Sequence, residues 1–212
     1  MGPFESLRDP MSINVLRVIA SEAKQSMNKK SLILLTLIIL PVIGGVIFFA
    51  PSKTVLAIRN RKNPGQRVYS AQAYNNGFVI SYTHSVNKGR VHDFYKCDQN
   101  DDVLILQSTH FVSYGAGIPE PEEVPGATFI TMDNCYIISN INRVIPTLVM
   151  AVGVIADHGF AIAEPDFNSK YENDFENING ELFLTDYFAP QTSLIFKIEK
   201  VSLAGYLAHK ID

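Results

Sequence analysis

Cysteine is scarce in this 212-residue sequence, occurring only as Cys97 and Cys135. The two fall in separate predicted strands, so neither a zinc knuckle nor a CxxC redox motif can be built from them. In an oxidising compartment they could bridge, but spacing alone does not bring their Cα atoms within disulfide reach. An excess of one charge is lacking too. A formal net charge of −3 and a pI near 5.9 offer no global attraction to polyanions, and the aromatics are not interleaved with basic runs as nucleic-acid readers require. Nucleic acid is excluded as a partner on these grounds. Catalytic spacing is also missing. No HxH or HxxxH pair supports a metal site, no cofactor motif is found, and the adjacent His84 and Ser85 of one strand point to opposite faces, which rules them out as a base and its nucleophile.

What is present begins with an uncharged block. Residues 31–52, SLILLTLIILPVIGGVIFFAPS, are enough to cross the roughly 30 Å hydrocarbon core of a bilayer as a helix. Lys29 and Lys30 stand before it as in the basic region of an export signal, and Met27 precedes them as a second start. The block exceeds the usual signal-peptide core of roughly 7 to 15 residues. Its nearest small-residue cleavage site, Val55-Leu56-Ala57, lies beyond its end. Residues 27–52 therefore read as a retained, single-pass signal anchor in the cytoplasmic membrane, with the C-terminal part outside the cytoplasm. The basic residues that follow, Lys53, Arg59, Arg61, Lys62 and Arg67, oppose that orientation under the positive-inside rule. Residues 1–26 have no sustained periodicity, look like translated intergenic sequence, and read as a leader outside the native protein. Residues 53–70, broken by Asn63-Pro64-Gly65, read as a basic linker.

Residues 71–212 are expected to form the working domain. Short runs rich in Val, Ile, Phe and Tyr, separated by turn signals, predict strands at 77–86, 90–97, 103–111, 127–132, 135–139, 147–156, 160–163, 181–185 and 193–201. Such spacing implies an all-β fold, an antiparallel sandwich or partly open barrel. Residues 114–125 form a Pro/Gly loop, and 166–179 a polar acidic excursion.

One hairpin can be built in detail. FVISYTHSV (78–86) and RVHDFYKC (90–97) flank Asn87-Lys88-Gly89, and a tight turn there sets His84 opposite Asp93. Alternation puts both on the face of Phe78, Ile80, Tyr82 and Tyr95, with Ser81, Ser85 and His92 on the other. A histidine beside a carboxylate on an apolar face has three roles open to it: a satisfied core pair that locks register, a ligand contact, or an acid–base dyad.

At YTHSV (82–86), Asp93 and FVSYGAGIP (111–119), the chain resembles domain-of-unknown-function family 1850, over about residues 77–201. Similar proteins are small bacterial membrane or exported proteins often encoded beside tripartite ATP-independent periplasmic (TRAP) transporters of the TAXI type. They generally carry Glu where Asp93 stands, and residues 166–179 look like an insertion against their pattern. The resemblance implies location and context but no mechanism. The expected function is a membrane-anchored accessory or binding module, with a transporter, an envelope protein or a small solute as its partner. Its interaction edge would be formed by Tyr82, His84, Ser85, Asp93, Ser113, Gly115 and Gly117. The alternative is a hydrolase-like enzyme using His84 and Asp93 as base and orienter.

Overall fold

The computed structural model describes residues 28–113, 118–120, 123–132, 135–163, 178 and 180–211. The leader and the residues of the acidic excursion other than Ile178 lie outside them. The chain divides into two compact units between Phe49 and Ala50.

The first unit contains α1 (Lys29–Phe49), 21 residues without a buried position. Its mean hydropathy reaches 2.9, which makes it long and apolar enough to cross a membrane, a chemistry that anchors and signal sequences share. Thr36 turns its hydroxyl back to the carbonyls of Leu32 and Ile33, at 3.1 and 2.8 Å. A polar group that enters hydrocarbon must be satisfied within its own segment in this way.

The second unit is a sandwich of two antiparallel sheets. Its strands are β1 (Pro51–Asn60), β2 (Arg67–Ser70), β3 (Phe78–Thr83), β4 (Arg90–Asp98), β5 (Val103–Phe111), β6 (Thr128–Thr131), β7 (Tyr136–Ser139), β8 (Arg143–Ile145), β9 (Leu148–Ala151), β10 (Gly159–Ile162), β11 (Leu182–Phe183) and β12 (Ser193–Ser202). The smaller sheet has the order β2-β1-β12-β9. The larger runs β11-β10-β3-β4-β5-β7-β6, with β8 also on β5. Among the described residues two short α-helices accompany the strands, α2 (Ala71–Asn76) and α3 (Leu203–His209), with a 3-10 turn at Leu184–Asp186. Both sheets are open, so the sandwich form of the expected fold is the one adopted.

Burial of one apolar face of each sheet joins the layers. Leu56, Ile58, Leu194 and Phe196 from the smaller sheet meet Phe78, Ile80, Tyr95, Leu104 and Phe160 from the larger. Phe78 is the hub: its ring lies 5.1 Å from Tyr95, 5.8 Å from Phe160 and 6.1 Å from Phe196 between centroids. The chain enters this strand through Gly77, at φ 90, where a side chain would press on the Tyr95 carbonyl. Glycine alone adopts that backbone without cost.

Residues 53–70 are not a linker. β1 is an inner strand of the smaller sheet, paired with β12 from Pro51↔Ser202 to Asn60↔Leu194, and β2 is its other neighbour. Val55, Leu56, Ala57 and Ile58 are all fully buried, because the outer face of this sheet is covered as well, through Tyr69, Val201 and Tyr206 of α3. The basic side chains that suggested a linker are accommodated within it: Arg59 pairs with Glu199 and bonds the Tyr69 hydroxyl.

The strand expected at 147–156 is present but shorter, since β9 covers Leu148–Ala151 and residues 154–157 turn; a short strand not expected, β8, precedes it. β8 pairs with β5 and β9 with β12, so the chain changes sheets between Ile145 and Leu148, at Pro146, which has no N–H to extend a ladder. The two cysteines are free. Cys97 belongs to the interlayer core, where burial pushes its thiol up to about 12 and leaves it unreactive.

Because Phe78 bridges both layers, Phe78→Ala is expected to cost about 3–5 kcal/mol, read as a fall in the urea midpoint. An unchanged midpoint would mean that the two sheets are held together elsewhere.

Candidate functional site

The hairpin register differs from the sequence expectation. β3 ends at Thr83, and the pairs are Thr83↔Arg90, Tyr82↔Val91, Ser81↔His92 and Ile80↔Asp93. Residues 84–89 form a wide loop closed by His84 N–H to the Gly89 carbonyl (2.8 Å) and Lys88 N–H to the His84 carbonyl (3.1 Å). His84 thus sits four residues along the strand direction from the partner of Asp93, about 13 Å at the usual strand rise. The expected pair does not form. Its imidazole Nδ1 instead accepts from the loop N–H groups of Val86 and Asn87, at 3.4 and 3.5 Å. The loop widened because these local bonds satisfy the backbone that a tight turn would have left to the ladder.

The shift is by an even number of residues, so the faces survive, and Asp93 remains on the inner side with Tyr82 and Tyr95. Its carboxylate accepts from Thr109 Oγ1 at 2.6 Å and from the Tyr82 hydroxyl. Withdrawal from water outweighs these bonds and raises its pKa to about 6. Burial, and then the neighbouring Asp93, pushes both Tyr82 and Tyr95 well above the ordinary tyrosine range, so each remains a neutral donor. Next to Asp93, β4 and β5 slip register between Phe94 and Tyr95, a bulge of the kind that re-aims side chains.

The outer face of the larger sheet holds a second polar group that sequence reasoning set aside. His92 Nδ1 lies 3.0 Å from Ser81 Oγ, and His92 stands directly opposite His110 on β5. All three residues are buried beside Val79 and Phe94, with the Phe94 and His110 rings 4.5 Å apart. Burial first, then His92, lowers the His110 pKa to about 3. Spacing along the chain argued against these histidines meeting, whereas the strand register brings them together. The overlooked signal was that Val79, Phe94 and Ala161 make this face apolar as well. Among the described residues no group of three or more His, Cys, Asp or Glu side chains is placed to hold a metal ion.

A cleft of about 480 Å³ opens at one end of the sandwich, lined by Thr83, Ser85 and Lys88, residues 152–156, Pro190 and Gln191. Val154 and Ile155 of its lining stand exposed at 64 and 83%. Three non-glycine residues at positive φ belong to these loops, Lys88 (58), Asp157 (47) and Gln191 (65). Such conformations cost of order 1–3 kcal/mol each and persist only where the surroundings impose them. Backbone bonds hold each of them, from Lys88 N–H to the His84 carbonyl (3.1 Å), Asp157 N–H to the Gly153 carbonyl (3.1 Å) and Gln191 N–H to the Val152 carbonyl (2.7 Å). Arg90 adds a bond to the Asp157 carbonyl (2.8 Å) while pairing with Glu181 Oε1 (3.0 Å) in a mostly buried ion pair. Gly153 N–H, on the cleft wall, donates to His158 Nδ1 (3.0 Å), and the His158 ring lies 5.9 Å from that of Tyr82. Asp93 is thus linked to the cleft through two aromatic side chains.

Of the expected site residues, Tyr82 and Asp93 meet through a hydrogen bond and Ser85 lines the cleft. Ser113 is tied to the 84–89 loop, its carbonyl accepting from Asn87 Nδ2 at 2.6 Å. Gly89 packs so closely on Val112 that a Cβ there would overlap it. Gly115 and Gly117 lie outside the described residues. The cleft, Arg90, Glu181 and His158 were not read from the sequence, because they converge from segments up to about a hundred residues apart.

An open antiparallel sandwich with a loop-lined cleft, following an apolar helix in the chain, defines a domain of the all-β class. Residues 78–168 match the family model described as Domain of unknown function (DUF1850), so the chain is similar to that family through this stretch. No curated protein and no solved structure matches it.

Asp93 and His110 make opposite contributions to stability as pH changes. The Asp93 pKa is raised on folding, so the native state holds its proton more tightly, and stability falls as pH rises from about 4 to 6. The His110 pKa is lowered, so stability is instead lost as pH falls below the ordinary histidine value of about 6.5. Asp93→Asn removes the first effect and keeps the acceptor for Thr109. It is expected to raise Tm relative to the parent at pH 7 and to leave it nearly level at pH 4; equal effects at both would show that the carboxylate is not held against ionisation.

Proposed function

We propose that this chain is a membrane-tethered, extracytoplasmic binding module whose working site is the cleft. One observation carries the reading: exposed apolar side chains line a cleft whose loops hold costly backbone conformations. Isolated exposed apolar residues need no explanation, but adjacent Val154 and Ile155 in the wall of one concavity mark a contact surface. A cleft of about 480 Å³ falls within the roughly 300–1,000 Å³ usual for small-molecule sites, which supports a solute as ligand. The resemblance to proteins encoded beside TAXI-type transporters supports a transporter as the protein to which such a solute, or the module itself, is presented.

The hydrolase alternative has little support, since the strand register separates His84 from Asp93. Ser81 and His92 form a close pair, but both are buried mid-strand away from the cleft, where they satisfy one another as interior polar groups must.

A metabolite panel read by thermal shift on the full chain in detergent, with native-membrane cross-linking in parallel, tests the proposal. Ile155→Asp is expected to abolish both ligand-induced stabilisation and transporter capture. Its effect on unliganded stability should stay within about 0.5 kcal/mol, because the residue is a surface one. Stabilisation that survives Ile155→Asp would move the site elsewhere, and capture of no transporter would remove the transporter from the reading.

A further inference from the structure

The end of the sandwich opposite the cleft carries its own uncovered apolar surface. β12 runs from Ser193, paired with Ala151 beside the cleft loops, to Ser202, paired with Pro51. Its ten residues span about 33 Å. At the Pro51 end, Ser202 caps α3 by accepting from Gly205 N–H at 3.0 Å. Leu203 and Leu207, one helical turn apart on the same side of α3, are 38 and 51% exposed. Tyr206 packs beside Val55 and Val201, and the Lys53 ammonium sits 4.3 Å over its ring. Lys200 is exposed on the adjoining strand.

Chain connectivity gives this surface a neighbour. Only Ala50 separates the last residue of α1 from the first of β1, so whatever the angle between the units, trans peptide spacing keeps Pro51 within about 8 Å of the helix end. When α1 crosses a bilayer, the Pro51 end of the sandwich is confined to the headgroup region. Two exposed leucines, a tyrosine ring and two lysines form the mixture that partitions there, with apolar groups entering the acyl boundary and ammonium groups meeting lipid phosphates.

We propose that Leu203 and Leu207 of α3, flanked by Lys53 and Lys200, dock on the surface of an anionic bilayer and hold the sandwich upright with its cleft away from the membrane. This rests on the tether part of the functional reading and is independent of what the cleft binds.

The sequence contains no tryptophan, so Leu207→Trp gives the full chain a single indole. The probe is the full chain in nanodiscs of phosphatidylglycerol and phosphatidylcholine with brominated acyl chains, and Ile155→Trp is the comparison. Strong quenching and a blue shift for Leu207→Trp, with emission from Ile155→Trp unaffected, is the expected result. Leu203→Trp repeats the measurement at a less exposed position in case the first variant is unstable. Equal quenching at both ends, or none at either leucine, overturns the proposal, the latter even if a protein covers the patch in cells. Failure of the chain to enter nanodiscs would overturn the tether itself, whereas incorporation without quenching would overturn only the docking.

Discussion

Everything in the sandwich depends on the pairing of β1 with β12. These strands supply Leu56, Ile58, Leu194 and Phe196, the half of the interlayer core that faces Phe78. Neither lies within residues 78–168, the stretch that matches the family model. The larger sheet comes from that stretch, but its inner apolar face is covered only when segments before and after it meet as a second sheet. A sheet with one apolar face has no stable existence alone, so the flanking strands are as much a part of the domain as the matched segment. The Arg59–Glu199 ion pair joins those same two strands on the outer face, where it absorbs charge that would otherwise oppose burial.

Patterning over short stretches made the all-β class and nine of the strands readable. Failure came where a residue's partner was distant. Lys53, Arg59 and Arg67 read as linker because the acceptor of the central charge, Glu199, lies far along the chain. The apolar run at 147–156 read as one long strand, whereas β9 stops at Ala151 and the residues after it form the cleft wall; β8, just before Pro146, went unread because it pairs with the other sheet. In the hairpin the faces were right and the register was wrong: alternation fixes which side a residue takes, while loop width depends on hydrogen bonds such as those His84 makes with its own turn. Tyr82 and Asp93 were therefore found together, and His84 was not. The cleft was invisible because its walls come from three separate loops.

Polar groups in the larger sheet are divided between its two faces. Asp93, with Tyr82 and Thr109, lies on the inner side, whereas Ser81, His92 and His110 lie on the outer. Each group makes its contacts across neighbouring strands rather than along one, so each records the register of β3, β4 and β5. A slip of one residue would turn the carboxylate and the histidines to opposite faces and strip both of their partners. Buried hydrogen-bonded polar clusters of this type specify a single alignment more sharply than apolar packing does.

Pairing between the first and last strands also bears on biogenesis. β1 is made well before β12, the neighbour that fills most of its ladder, with the whole larger sheet encoded between them. Until then β1 has only the short β2 beside it, and Val55 to Ile58 have no covering layer. The interlayer core of a nascent chain therefore closes only after β12 has been made. Products truncated ahead of Ser193 would lack the closing strand and be exposed to proteolysis.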